Sequence, residues 1–220
     1  MAADQRLQQL RRVWDEGDLE TQVRLLRERM RAGELSEERV RLAAGLGNPV
    51  SCELLTVPLS EPGNMDHVCG RLEEYGESAI TRSTLATTRV VLSRMDPNSP
   101  ALGPLLEGVA VCERMEVQQV DRPFGWATLY VEAKRLILEE DPRGAENVSL
   151  GYAALQVFNT LSLPGPDWQG GMRWALSRQE IALGGLGSAL EVIRNELVPW
   201  ALGLRDPVAD RVAAREAAGE

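Results

Sequence analysis

The sequence predicts an all-α protein, an irregular multi-helix bundle of about ten to twelve helices with room for stacked helix pairs. Three observations carry that expectation. Apolar residues recur at steps of three and four along most of the chain. Asp, Ser and Asn stand where helices should begin, and Gly where they should end. The connections between periodic stretches are short, which favours antiparallel neighbours. With 220 residues, 44% hydrophobic and 26% charged, the chain is not disordered by composition and can bury a sizeable core.

Ala3, Leu7, Leu10 and Trp14 share one helical face, which Gly17 ends. Asp18 caps a second helix on which Leu19, Val23, Leu26 and Met30 point one way and Arg24, Arg27, Glu28 and Arg31 face water. Gly33 suits a left-handed C-terminal position. Ser36 caps a third helix with Glu37 and Glu38 in its first turn, where the macrodipole favours acids, and with Leu42 and Leu46 as an i, i+4 pair. Asn48-Pro49 is a cap followed by proline at the first helical position, so a short fourth helix starts there.

Residues 56–65 hold Pro58, Pro62 and Gly63 and make the clearest break in the first half. They divide the chain into an N-terminal helical region, 1–57, and a C-terminal helical bundle, 64–220. In the bundle, Val68, Leu72 and Tyr75 share a face. A helix over 77–95 carries Ile80, Leu85, Val91 and Leu92, although Thr81, Thr84, Thr87 and Thr88 tolerate a strand. After the turn at 96–100, Leu102, Leu105, Leu106, Val109 and Cys112 form the next stripe, and 116–123 could be extended. Trp126, Leu129, Tyr130, Ala133, Leu136 and Ile137 mark a strong helix, as do Leu150, Ala154, Val157, Phe158 and Leu161. Residues 163–171 read as a Pro/Gly-rich loop. Leu176, Ile181 and Leu183 fit a shorter helix that stops at Gly184-Gly185. Leu186, Leu190, Ile193, Leu197 and Trp200 follow, with Pro199 set to kink or end that helix, and Asp206-Pro207 opens a last one.

Lys+Arg is 24 against Asp+Glu 33, a formal net charge of -9, which argues against a nucleic-acid partner. No apolar run reaches the ~18 residues of a membrane span, and the first residues lack a secretion signal, so a cytoplasmic protein with no membrane partner is expected. Cys52, Cys69 and Cys112 are odd in number and far apart, which fits reduced, buried thiols better than a disulfide framework. The sole histidine, His67, sits two residues from Cys69, so the pair points to different sides of a helix and no metal site is expected. No nucleophile elbow or phosphate loop is present, and the only lysine, Lys134, is mid-helix. No catalytic residue and no cofactor is therefore expected.

What remains points to binding. Trp14, Trp126 and Trp200 fall on apolar stripes and read as core. Trp168 and Trp174 flank the 163–171 loop, where aromatic side chains either plug the end of a helical core or make contacts. With Asp167 and the paired acids Glu73, Glu74, Glu139 and Glu140, they are the candidate binding residues, although adjacent acids on helices also serve as plain solvated faces.

Leu25 to Gly47, LLRERMRAGELSEERVRLAAGLG, resembles a helix-pair segment of mostly uncharacterised all-helical proteins of GC-rich bacteria. Residues 72–92 and 198–215 look like its continuation. The arrangement is also similar to immunity proteins of bacterial polymorphic-toxin systems. That resemblance implies an all-helical protein that neutralises a cognate toxin by binding it, and it brings no catalytic residues. The leading expectation is thus a non-enzymatic protein-binding or adaptor protein, most concretely an immunity protein that occludes a basic partner. A helical ligand-binding protein or enzyme, with an inter-helix pocket gated by residues 164–171, is the alternative. A scaffold subunit of a larger assembly is a third.

Overall fold

The computed structural model describes residues 9–10, 12–119, 125–139, 145–160 and 167–219, and every regular element among them is a helix. These are α1 (residues 12–16), α2 (Leu19–Arg31), α3 (Glu37–Gly45), α4 (Pro49–Leu55), α5 (Met65–Glu74), α6 (Glu77–Leu92), α7 (Leu102–Gln118), α8 (Trp126–Glu139), α9 (Ala145–Thr160), α10 (Asp167–Leu183), α11 (Leu186–Ala201) and α12 (Pro207–Ala218). The caps fall where the sequence puts them. The Asp18 carboxylate accepts from the Thr21 amide at 2.9 Å, and that bond holds its pKa below the usual value. Ser36 accepts from Arg39, and Asn48 accepts from Ser51 ahead of Pro49. Asn64 does the same for His67, which is exposed at the start of α5.

By internal contacts the chain forms two compact units: residues 1–63 with 194–207, and residues 64–193 with 208–220. The division at the Pro58–Gly63 break puts 194–207 with the C-terminal bundle, whereas its contacts join it to the first unit. Three arginines account for this. Buried Arg29 of α2 donates to the Leu202 carbonyl at 2.5 Å. Arg39 of α3 donates to the Trp200 carbonyl, and its guanidinium lies 5.4 Å from the Trp200 ring centre. Arg194 reaches back to the Leu46 carbonyl. Each acceptor lies at a helix C-terminus, where carbonyls lack an intrahelical donor and the macrodipole favours cations. Gly47 makes room: its φ is +83°, and an added Cβ would lie 2.8 Å from the Arg194 guanidinium. The apolar floor of this unit includes Leu26, Val40, Leu46, Leu197 and Leu202.

In the second unit α6 is central, packed against α5, α7, α9 and α10. Residues 79–88 of α6 are buried on every side, including five hydroxyl residues. Helix wins over strand here because most of those hydroxyls donate to the carbonyl one turn back. Ser83 bonds Ala79 at 2.8 Å, Thr84 bonds Ile80 at 2.7 Å and Thr88 bonds Thr84 at 2.6 Å. Thr87 also donates to the Oε1 of Gln179, whose Nε2 donates to Thr88 at 2.6 Å, so a fully buried amide ties α10 to α6. Thr81 differs: its buried hydroxyl has no hydrogen-bond partner among the described residues. Thr81→Val keeps the shape and removes that unmet group. It is expected to raise the unfolding free energy by about 1 kcal/mol in urea titrations.

A second joint lies where Phe158 of α9 meets α7 and α8. Its fully buried ring meets Trp126 edge to face at 5.6 Å and fills the space above Gly108, where a Cβ would stand 2.6 Å from Cζ. A third is ionic. The fully buried Glu113 carboxylate of α7 receives Arg89 of α6 through two nitrogens, Arg211 of α12 at 2.7 Å and Arg215 of α12 at 3.2 Å. One turn further on, Arg82 and Glu116 pair at 2.9 Å.

Several sequence expectations need correction. Helix α7 runs on through Gln118, because Glu116 is held by Arg82; residues 120–123 lie outside the described residues. The proposed loop at 163–171 is helical from Asp167 onward, since Met172, Ala175 and Leu176 supply a buried face that draws the preceding turn into α10. Pro199 lies inside α11, which ends two residues later at Ala201, and its carbonyl accepts the Leu204 amide at 2.9 Å. Trp126 is buried as expected, while Trp14 and Trp200 are half-buried.

The three cysteines are free and buried, and burial pushes the Cys69 thiol up to about 12. A raised folded-state value favours the neutral thiol. Its stabilising contribution is full below the unfolded pKa of about 8.5 and is lost as pH rises towards the folded value. Iodoacetamide at about pH 8 is therefore expected to alkylate no cysteine of the folded chain and all of them in urea, as read by mass spectrometry.

Candidate functional site

Within the second unit, α9 and α10 pack as neighbours and leave a groove of about 340 Å³. Ser149, Tyr152 and Gln156 of α9 line it together with Trp174, Arg178 and Ile181 of α10. The register of α10 explains why these side chains face outward. At 100° per residue, Leu183 falls about 20° from Leu176 on the helix wheel, whereas Ile181 falls about 140° away. The buried face is Met172, Ala175, Leu176, Gln179 and Leu183, and Gln179 is locked by Thr87 and Thr88. Trp174 and Ile181 lie within about 20° of each other on the opposite face. They are 45% and 73% exposed, although both are large and apolar. Sequence reading put Ile181 on the apolar stripe with Leu176 and Leu183; the structure corrects that placement.

Arg178 stands between them, exposed, its guanidinium 5.1 Å from the centre of the Trp174 ring. A cation over an indole face is attracted by the ring quadrupole, which holds the side chain along the groove rather than free in water. Among the described residues no carboxylate pairs with it. The remaining lining side chains are neutral, so Arg178 sets the sign of the groove.

The other candidate residues are distributed differently. Glu73 of α5 forms a two-pronged ion pair with Arg173 of α10, both contacts at 2.6 Å, and is thereby committed to fastening those helices. The Glu73 hydrogen bond raises the Arg173 pKa. Glu74 is exposed. Glu139 of α8 is held by Arg135 one turn back, which also donates to Glu132 at 2.6 Å. Glu140 lies outside the described residues. Asp167 and Trp168 belong to the first turn of α10, and their side chains lie outside what is described. The structure thus places Trp174 at the α9–α10 groove, commits Glu73 to the α5–α10 ion pair, and leaves Glu139 on α8.

Arg178 and Ile181 were missed in the sequence. The signal that could have found them is the i, i+4, i+7 run Trp174, Arg178, Ile181 opposite a complete buried face. Among the described residues no three His, Cys, Asp or Glu side chains gather as a metal-binding group, and no helix is long and apolar enough to cross a membrane.

The chain matches no protein-family model, no curated protein and no solved structure.

Proposed function

We propose that this chain is a non-enzymatic protein-binding protein whose contact face is the outward side of α10 and the groove beside it. The observation that carries the reading is the exposed pair Trp174 and Ile181 on one rigid helix face. Aromatic and large apolar anchors at the centre of a contact carry most of its energy, and a helix holds them at little entropic cost. The neighbouring acids support a secondary role only, because Glu73 and Glu139 are already paired with arginines. The net charge of -9 steers a basic partner at long range without help from any one acid.

The most concrete form of this reading, drawn from the sequence resemblance, is neutralisation of a toxin by covering its surface. A bound small ligand is the second reading, favoured by the groove's volume, which is at the lower end of the range for such sites.

The test is co-purification with the tagged chain at low and high salt. One stoichiometric partner is expected, bound at least about tenfold more weakly by a Trp174→Ala/Ile181→Asp double variant. Both positions are solvent-facing, so the double variant should unfold at the wild-type urea concentration. A partner held equally by both proteins would remove this face from the account.

A further inference from the structure

The groove has a length, a sign and a chemistry. Trp174 and Ile181 are seven residues apart on one face of α10, so they stand about 10 Å apart along its axis. That is the spacing of apolar side chains at i and i+7 on a second helix laid beside the first. Between them is Arg178, stacked on Trp174 with no carboxylate partner among the described residues. A basic segment entering the groove would meet a like charge. A wholly apolar one would cover a guanidinium without a counter-charge, which costs free energy. A carboxylate placed between two apolar anchors avoids both penalties, and the Ser149 and Tyr152 hydroxyls on the α9 side supply further polar contacts.

We propose that the α9–α10 groove receives an amphipathic helix of a partner protein, with apolar side chains on Trp174 and Ile181 and an Asp or Glu between them on Arg178. This rests on the protein-binding reading and names the chemistry of the partner's contacting segment. The acid is local to the anchor; the long-range preference of an acidic chain for a basic partner acts on the rest of that partner's surface.

A displayed library of helical peptides about 16 residues long, selected on the full chain, tests it. Enriched sequences should carry apolar residues at i and i+7 with Asp or Glu one turn after the first. Their affinity should fall at least about tenfold on Ile181→Asp. Their preference for the acid over a lysine replacement, expected at about fivefold or more, should vanish on Arg178→Gln. Sedimentation of the full chain completes the experiment. Failure to enrich helical sequences, enrichment without an acid, or binding indifferent to Ile181→Asp would overturn the inference. So would a dimer that Ile181→Asp dissolves, because a second copy would then be the occupant. Co-purification decides the protein-binding reading separately, so the two can fail independently.

Discussion

Replacing Glu113 by alanine is expected to lower the unfolding free energy of the second unit by about 3–5 kcal/mol. The reason is the asymmetry between keeping and breaking a buried ionic cluster. With the carboxylate present, Arg89 binds it through two nitrogens and Arg211 and Arg215 bind its remaining lone pairs. The desolvation of a fully buried anion is thereby offset, and three helices are fastened at one point. Without it, guanidiniums from α6 and α12 face one another across the vacated position. Their side chains are 22–26% exposed, so partial rehydration moderates the loss towards the lower end of that range. Arg215→Met makes the contrast. It removes the longest contact, leaves the carboxylate with Arg89 and Arg211, and should cost only about 1 kcal/mol. Urea unfolding followed by circular dichroism reads both. A Glu113→Ala variant within about 1 kcal/mol of wild type would show that the cluster does not organise these helices.

Phe158→Ala is expected to cost about 3–5 kcal/mol, by loss of buried area and by the cavity left between α7, α8 and α9. The edge-to-face contact with Trp126 adds to the loss. The geometry at Gly108 makes the result diagnostic. In the wild-type chain Gly108→Ala forces a methyl to within 2.6 Å of the Phe158 ring, so it should cost about 1–3 kcal/mol. In the Phe158→Ala background the same methyl enters empty space and should be neutral or stabilising. The two substitutions therefore couple strongly in a double-mutant cycle. Simple additivity would mean that the ring does not rest on that glycine.

Much of the fold is legible in the sequence because its determinants are local. Asp18, Ser36 and Asn48 cap helices by reaching an amide three residues on, and the Pro58–Gly63 break coincides with the boundary at Gly63. What escapes is set by long-range partners. Arg29 and Glu113 look like surface charges; the Leu202 carbonyl and the Glu34 carboxylate 3.8 Å away help Arg29 tolerate burial, and three arginines do so for Glu113. The membership of residues 194–207 depends on arginines far away in sequence. The candidate site is half legible. Trp174 stands out as an aromatic beside a Pro/Gly-rich stretch, but with the start of α10 placed too late the register of the helix is hidden. Ile181 then joins the core stripe, and Arg178 has no context. The acids mislead for the opposite reason: a run of carboxylates says nothing of the arginine that a neighbouring helix brings to Glu73.

The central claim, that the outward face of α10 and the adjoining groove make the contact, is tested most directly by amide hydrogen exchange of the chain alone and with its co-purified partner. The account predicts new protection concentrated in α9 and α10, over residues 149–156 and 174–182, with α2–α4 unchanged. Protection confined to other helices, with α9 and α10 exchanging as in the free chain, would contradict it.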